Sequence, residues 1–350
     1  IINYVSRETM RISVRVDELP DWARRGKLGV DLLFDEHSYR EMFDALKEAK
    51  QQLMDVKYSN LVQLLVQGKD GFDVTIADHF YSNQDLNESQ NAAINQMLSQ
   101  KPVVLMHGPP GTGKTTTLIA GIHALLKAEK KQILVVAPGN TAVDLLSERL
   151  VEKGINVLRM GNPVRVSEHL QKLTLDAKMD SHAANKERKN LEKQARAYTD
   201  MAHKYKRSFG KSEREQRKAL FDEARKIRRE IDKIQDYIID DVLDNVEVIT
   251  ATLVGSNHPN IRARQYETVI IDEAAQSLEA ACWIPILKAN RLIMAGDHCQ
   301  LPPTVKSSTK SHEGLYNTLF EKLVIRFPSA VSLLDVQYRM NAQIMHYPSQ

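Results

Sequence analysis

Residues 108–117 read Gly108-Pro109-Pro110-Gly111-Thr112-Gly113-Lys114-Thr115-Thr116-Thr117, a complete G-x-x-x-x-G-K-[ST] loop. The preceding Val103-Val104-Leu105-Met106 suits a buried strand, and Leu118, Ile119, Ile122, Ala124 and Leu125 continue at helical spacing. Strand, glycine-rich loop and helix in that order restrict the chain to a parallel α/β sheet whose loop cradles phosphate. Glycines let successive backbone N–H groups and the helix N-terminus face the anion. Lys114 then reaches the β and γ oxygens, and the Thr115 hydroxyl completes a Mg2+ shell.

A second apolar strand, Thr268-Val269-Ile270-Ile271, delivers Asp272 and Glu273 at its C-terminal end, where open parallel sheets bind ligands. By itself such a pair also fits the capping of a following helix. Beside a phosphate loop, Asp272 is expected to hold Mg2+ through water and Glu273 to polarise the attacking water as a general base. An amide could fill neither role.

Further strands are expected at 133–137, 155–158, 246–251, 292–295 and 331–334, alternating with helices. That pattern predicts a doubly wound parallel sheet, with the motor domain formed by residues 81–163 and 244–350. Ahead of it, alternation over 9–16 and an apolar run at 28–34 predict a small β unit, a partial barrel spanning 1–36. A stalk helix and linker follow over 37–80, with Met42, Phe43, Leu46, Ala49 and Leu53 on one face.

Residues 164–243 form an insertion of different character. Over 181–240 there is no proline, and 17 Lys and Arg face 11 Asp and Glu, a net of +6 where the whole chain carries only +3. Leu191, Ala195, Tyr198, Ala202, Tyr205 and Phe209 make one stripe; Leu220, Ala224, Ile227, Ile231, Ile234 and Ile238 make another after Gly210-Lys211-Ser212. Two seams joined by a turn predict an antiparallel helical hairpin. It is either a solvated surface element or a basic arm over a nucleic-acid channel.

With 42% hydrophobic and 27% charged residues the chain is neither disordered nor broadly basic, so any nucleic-acid affinity must come from local patches. Cys282 and Cys299 have no metal-ligand spacing and read as small buried residues of a reducing compartment. No run approaches bilayer-spanning length and no signal peptide opens the chain, which implies no membrane partner and a cytoplasmic setting. A first residue of Ile rather than Met suggests a fragment of a longer protein.

The order of several short motifs says more than any one of them. Leu86-Asn87-Glu88-Ser89-Gln90-Asn91 precedes the phosphate loop, and Ala137-Pro138-Gly139-Asn140-Thr141-Ala142-Val143-Asp144 follows it. Then come Asp272-Glu273-Ala274-Ala275-Gln276, Gly296-Asp297-His298-Cys299-Gln300-Leu301-Pro302-Pro303 and Gln337-Tyr338-Arg339-Met340. This series resembles superfamily 1 helicases of the up-frameshift-like branch. Within it the immunoglobulin-mu-binding type is the nearer likeness, through Leu278-Glu279-Ala280-Ala281-Cys282-Trp283-Ile284-Pro285.

The resemblance implies a RecA-like P-loop NTPase that uses ATP and Mg2+. It assigns Gln90 to the adenine edge, although Asn87-Glu88-Ser89-Gln90 also reads as a helix capping box. It makes Gln300 a γ-phosphate sensor, stacks Tyr338 on the base and puts Arg339 on the γ-phosphate. Pro138, Gly139, Asn140 and Thr141 would hold a strand's phosphates, with Gly139 standing where family members commonly have Ser. Thr250 and Thr252 would touch single-stranded nucleic acid, unless they are ordinary strand threonines.

The expected function is therefore the first motor domain of a monomeric, ATP-dependent helicase on single-stranded DNA or RNA, moving 5′ to 3′ by family resemblance. A nucleotide-gated clamp that hydrolyses ATP without separating strands is the alternative. The family closes ATP between two such domains, and the second is missing from this sequence.

Overall fold

The computed structural model describes residues 2–5, 10–12, 36–54, 60–71, 80–204, 210–304 and 314–345. The chain divides into two units, residues 1–37 and 38–350. In the first, β1 (Ile2–Val5) pairs antiparallel with β2 (Met10–Ile12). The strand expected at 28–34, and the ends of the one expected at 9–16, lie outside the described residues.

The second unit takes in nearly all of α1 (Glu36–Met54), then α2 (Asn60–Gln67), α3 (Glu88–Leu98), β3 (Val103–His107) and α4 (Lys114–Glu129). β4 (Ile133–Ala137), α5 (Asn140–Glu152) and β5 (Val157–Arg159) follow, before the inserted α6 (Leu175–Ser181), α7 (Asn185–Lys204) and α8 (Lys211–Asp244). The chain returns through β6 (Val248–Thr252), β7 (Tyr266–Ile271), α9 (Glu279–Ile286) and β8 (Ala289–Gly296), and ends with α10 (Leu319–Arg326), β9 (Val331–Leu333) and α11 (Ala342–Met345). Seven strands form one sheet in the order β5-β6-β4-β7-β8-β3-β9, every pair parallel.

Strand side chains alternate between faces, and the sheet is covered on both, so each apolar run feeds two cores. Val103 and Leu105 of β3, Leu134 and Val136 of β4, and Val269 and Ile271 of β7 enter one core, with apolar residues from α1, α2, α8, α9 and α10. Val104, Met106, Ile133, Val135 and Ile270 enter the other, beneath α3, α4 and α5. Burial of one such side chain stabilises by about 1.5–3 kcal/mol, more than a surface ion pair such as Arg149–Glu152 at roughly 0–1 kcal/mol. The doubly wound α/β sheet therefore follows from the strand runs, which sequence periodicity already exposes.

Arg291 of β8 ties the layers. Although almost fully buried, it donates to the carbonyl oxygens of Lys101, Met97 and Ser99 and pairs with Glu129 at 3.1 Å. The C-terminus of α3 and the end of α4 are thereby pinned to the sheet.

α1 departs from its expected face. Ala45 and Ala49 are buried and Met42 and Leu53 pack beside them, while Phe43 and Leu46 are exposed. Small side chains mark the contact because the helix lies close on the motor core, so α1 is part of that core's cover. In the insertion, Ala195 of α7 packs on Ile227 and Ile231 of α8, and His203 meets Phe221 near the turn, which fixes an antiparallel pair. Tyr205 and Phe209 fall outside the described residues. At the base, Ile238, Val242 and Leu243 run into the motor core.

Candidate nucleotide and nucleic-acid site

The phosphate loop hangs between β3 and α4. Gly111 and Gly113 take φ of +83° and +79°, left-handed values that favour glycine. A Cβ on Gly111 would lie 2.6 Å from Cβ of Arg339, so the absence of a side chain lets the chain's tail cross directly over the loop. That crossing is held by the Tyr338 N–H donating to the Gly111 carbonyl at 2.8 Å and by the Asn87 amide donating to the Tyr338 hydroxyl at 2.9 Å.

A cleft of about 400 Å3 opens there, lined by Pro110, Gly111, Gly113, Lys114, Thr115, Thr116, Glu273, Gln300, Tyr338 and Arg339. These residues come from three strand ends and the segment after β9, and adjacency in the sheet brings them together. Gly108 and Thr112 complete the loop wall, and the Thr112 hydroxyl bonds back to the carbonyl of Pro109 at 2.8 Å. Lys114 folds onto the Gly108 carbonyl at 2.5 Å, holding its ammonium inside the loop.

Asp272 follows β7 and is buried, its Oδ1 accepting from the Glu273 N–H at 2.9 Å. Burial, with the Glu273 charge alongside, pushes its pKa up to about 7 against partial relief from that N–H and Lys114. Two adjacent carboxylates in so dry a place fit a cation. Glu273 sits at φ 52°, ψ 37°, one of two non-glycine residues among the described ones at positive φ. Such strain recurs at functional positions, and here it turns the carboxylate towards the cleft while the chain bends into the next turn.

Gln300 donates to Asp297 Oδ2 at 2.9 Å. Burial works against the Asp297 carboxylate, but hydrogen bonds from Gln300, His107 and the Cys299 amide outweigh it and hold the pKa below the usual carboxylate range. Gln90 is buried and uses both ends of its amide: Oε1 accepts from the Asn87 N–H at 3.1 Å, and Nε2 donates to the Thr112 carbonyl at 3.1 Å. The capping box is formed. In this structure Gln90 braces the loop, and an adenine would have to replace one of those bonds.

Along the expected strand track the threonines part company. Thr250 is fully buried, its hydroxyl 2.7 Å from Ser147 Oγ, because it lies mid-strand on the face of β6 that α5 covers. The expected contact between Thr250 and nucleic acid is corrected accordingly. Thr252, half-buried at the end of β6, accepts from the Gly255 N–H at 3.0 Å. Pro138, Gly139 and Thr141 are exposed, and no side chain caps the first turn of α5. Asn140 accepts from Arg159 at 2.9 Å.

That arginine is a residue the sequence does not announce. Arg159 is fully buried at the end of β5, pairs with Asp144 of α5 at 2.9 Å and donates to the Met160 carbonyl. Asp144 in turn accepts from the Ser167 N–H and hydroxyl. The network fixes the first turn of α5 against the sheet. A charge inside a strand that must find a partner when buried is the only signal for it. Cys282 is buried as expected; Cys299 is exposed, since it sits in the loop after β8 rather than in the sheet.

The profile of a family described as "AAA domain" matches residues 85–308. Over 381 aligned residues the chain is 30% identical to an uncharacterized ATP-dependent helicase of Methanocaldococcus jannaschii, covering 99% of this chain and 56% of that protein. It is 36% identical to DNA-binding protein SMUBP-2 of Mesocricetus auratus, over 87% of this chain and 31% of that protein. It is 31% identical to the DNA polymerase alpha-associated DNA helicase A of Schizosaccharomyces pombe, over 100% of this chain and 52% of that protein. The chain thus spans about half the length of these relatives or less.

Proposed function

Because the chain belongs to the AAA-domain family and, within it, to the superfamily 1 helicases of the up-frameshift-like branch, we propose that it is the first motor domain of an ATP-driven nucleic-acid translocase. The observation that carries this reading is the single cleft in which Lys114, Thr115, Glu273, Gln300 and Arg339 converge. On binding ATP, Lys114 leaves the Gly108 carbonyl for the β and γ oxygens, where its charge is worth more. Mg2+, held by Thr115 and Asp272, would neutralise charge between those phosphates. Glu273 takes the proton of the attacking water on its carboxylate, and the Arg339 guanidinium meets the γ-phosphate as charge spreads over it. Gln300 moves between Asp297 and the γ-phosphate, which couples nucleotide state to the loop after β8.

In this proposal nucleic acid runs along the sheet's C-terminal edge beyond the cleft, against Pro138, Gly139, Thr141 and the uncapped start of α5, with Thr252 nearby. Contacts of this type bind backbone and favour no sequence. DNA and RNA are both candidate tracks, and a second motor domain of the parent protein is the partner that would close the cleft. Among the described residues no helix is long and apolar enough to cross a membrane; a cytoplasmic site of action is part of this proposal.

Two substitutions test the reading. Lys114→Ala is expected to weaken ATP binding at least tenfold by calorimetry, because it removes the cation on the phosphates. Glu273→Gln is expected to preserve binding and lower turnover by about 10^2 or more. Equal loss of binding and turnover in both variants would overturn the division of roles. Strand-separation assays on the parent protein distinguish a helicase from an ATP-dependent clamp.

A further inference from the structure

Behind the cleft lies a group of side chains with no part in the nucleotide chemistry. His107 closes β3 just before the phosphate loop, and His298 and Cys299 stand just before Gln300. Parallel pairing of β3 with β8 sets His107 opposite Gly296 and so brings it beside Asp297, 190 positions away, and the adjoining His298 and Cys299. One ring nitrogen from each histidine and the Cys299 sulfur all lie within 4.8 Å of one another, the only such group found among the described residues. The two rings are 4.5 Å apart. His298 Nδ1 is buried without a hydrogen-bond partner among the described residues, an unfavourable arrangement unless something occupies it.

We propose that His107, His298 and Cys299 bind a soft divalent cation of the zinc class. Two imidazoles and a thiolate select Zn2+ over Mg2+, whereas the Thr115 and Asp272 oxygens have the opposite preference, so the two sites do not compete. Asp297 Oδ1, 3.1 Å from His107 Nε2, is the carboxylate partner that fixes a ligating imidazole. Metal bonds of about 2.0–2.3 Å require ligand atoms closer than 4.8 Å, so binding would have to draw in Cys299 and the two imidazoles by side-chain rotation. The site ties the root of the phosphate loop to the turn bearing Gln300. Resting on the ATPase reading above, occupancy holds Gln300 at Asp297 and slows turnover.

The test uses the 350-residue chain with Co2+ as a spectroscopic probe. Wild type is expected to show a thiolate-to-cobalt charge-transfer band at one equivalent, displaced by Zn2+. Cys299→Ser should lose the band although Cys282 remains, and His298→Ala should weaken Co2+ binding at least tenfold, since loss of even an outer partner costs about 10–100-fold. Absence of the band in wild type, or its persistence in Cys299→Ser, overturns the site. With Mg2+-ATP, Zn2+ is expected to inhibit wild type and spare Cys299→Ser, whose basal turnover is unchanged; equal inhibition of both overturns the regulatory role. If neither protein hydrolyses ATP without Zn2+, the ATPase reading fails while the cobalt spectrum still decides the metal site.

Discussion

Asp272 shows how a binding site can act against the fold that carries it. Its carboxyl is pushed up to about 7 by burial and by Glu273, above the ordinary 3.8 of an unfolded chain. Stability from this group is fully present below that ordinary value and is lost as pH rises through 7. Asp272→Asn should therefore stabilise the nucleotide-free protein by roughly 2–4 kcal/mol at pH 8, with the gain vanishing near pH 4. Thermal melts of both proteins across that range check this, and a gain independent of pH would sink it. Thr250→Val addresses the strand track: it should cost about 1 kcal/mol through the lost Ser147 contact and leave oligonucleotide affinity unchanged. Weakened affinity would return Thr250 to the track. At this scale the sequence is legible where chemistry is local. The phosphate loop and the Asp272-Glu273 pair are contiguous, whereas the facing of Thr250 is hidden because a strand buried on both sides shows no polar alternation. His107, His298 and Cys299 were hidden for another reason, since only sheet pairing joins them.

Among the elements, strands were more readable than helix faces. All five further strand runs expected for the motor appear within a few residues of their predicted ends, but the contact face of α1 centres on Ala45 and Ala49 with Met42 and Leu53 beside them, while Phe43 and Leu46 are exposed. Close packing favours small side chains, and hydrophobicity alone misjudges part of the stripe. The insertion is readable because its seam repeats. Its charge has a measurable consequence if the arm touches a strand's phosphates. Replacing residues 186–237 by a Gly/Ser linker leaves Ile238, Val242 and Leu243 in the core, so the motor should stay folded. The deletion is then expected to flatten the log–log salt dependence of oligonucleotide binding by about 0.7 per lost single-strand contact. An unchanged slope would make the hairpin a solvated ornament of the surface.

For the whole molecule, the relatives that it matches are longer than this chain. The 350 residues supply every proposed contact to phosphate except those from a second motor domain, so this chain alone should bind ATP and turn it over only weakly. A transition-state arginine contributes about 10^3 to 10^5 in rate in related phosphoryl transfer. Steady-state ATPase with saturating single-stranded oligomer is expected to rise by at least about 10^3 when the chain is extended through that second domain. Equal turnover would show that the cleft is already complete. The α1 cover, motor sheet and hairpin follow the changes of periodicity along the chain, while the second motor domain proposed to complete the site leaves no trace in composition.

β9 is held by three register positions to β3 and has no neighbour on its other side among the described strands. Tyr338 and Arg339 hang just beyond it, so the end of the cleft proposed for the γ-phosphate is attached to an edge strand, paired on one side alone. Amide hydrogens of 331–334 should exchange with solvent sooner than those of 103–106, through local openings that leave the two cores intact. Nucleotide would then act as the missing clasp, slowing exchange at β9 far more than at the centre of the sheet.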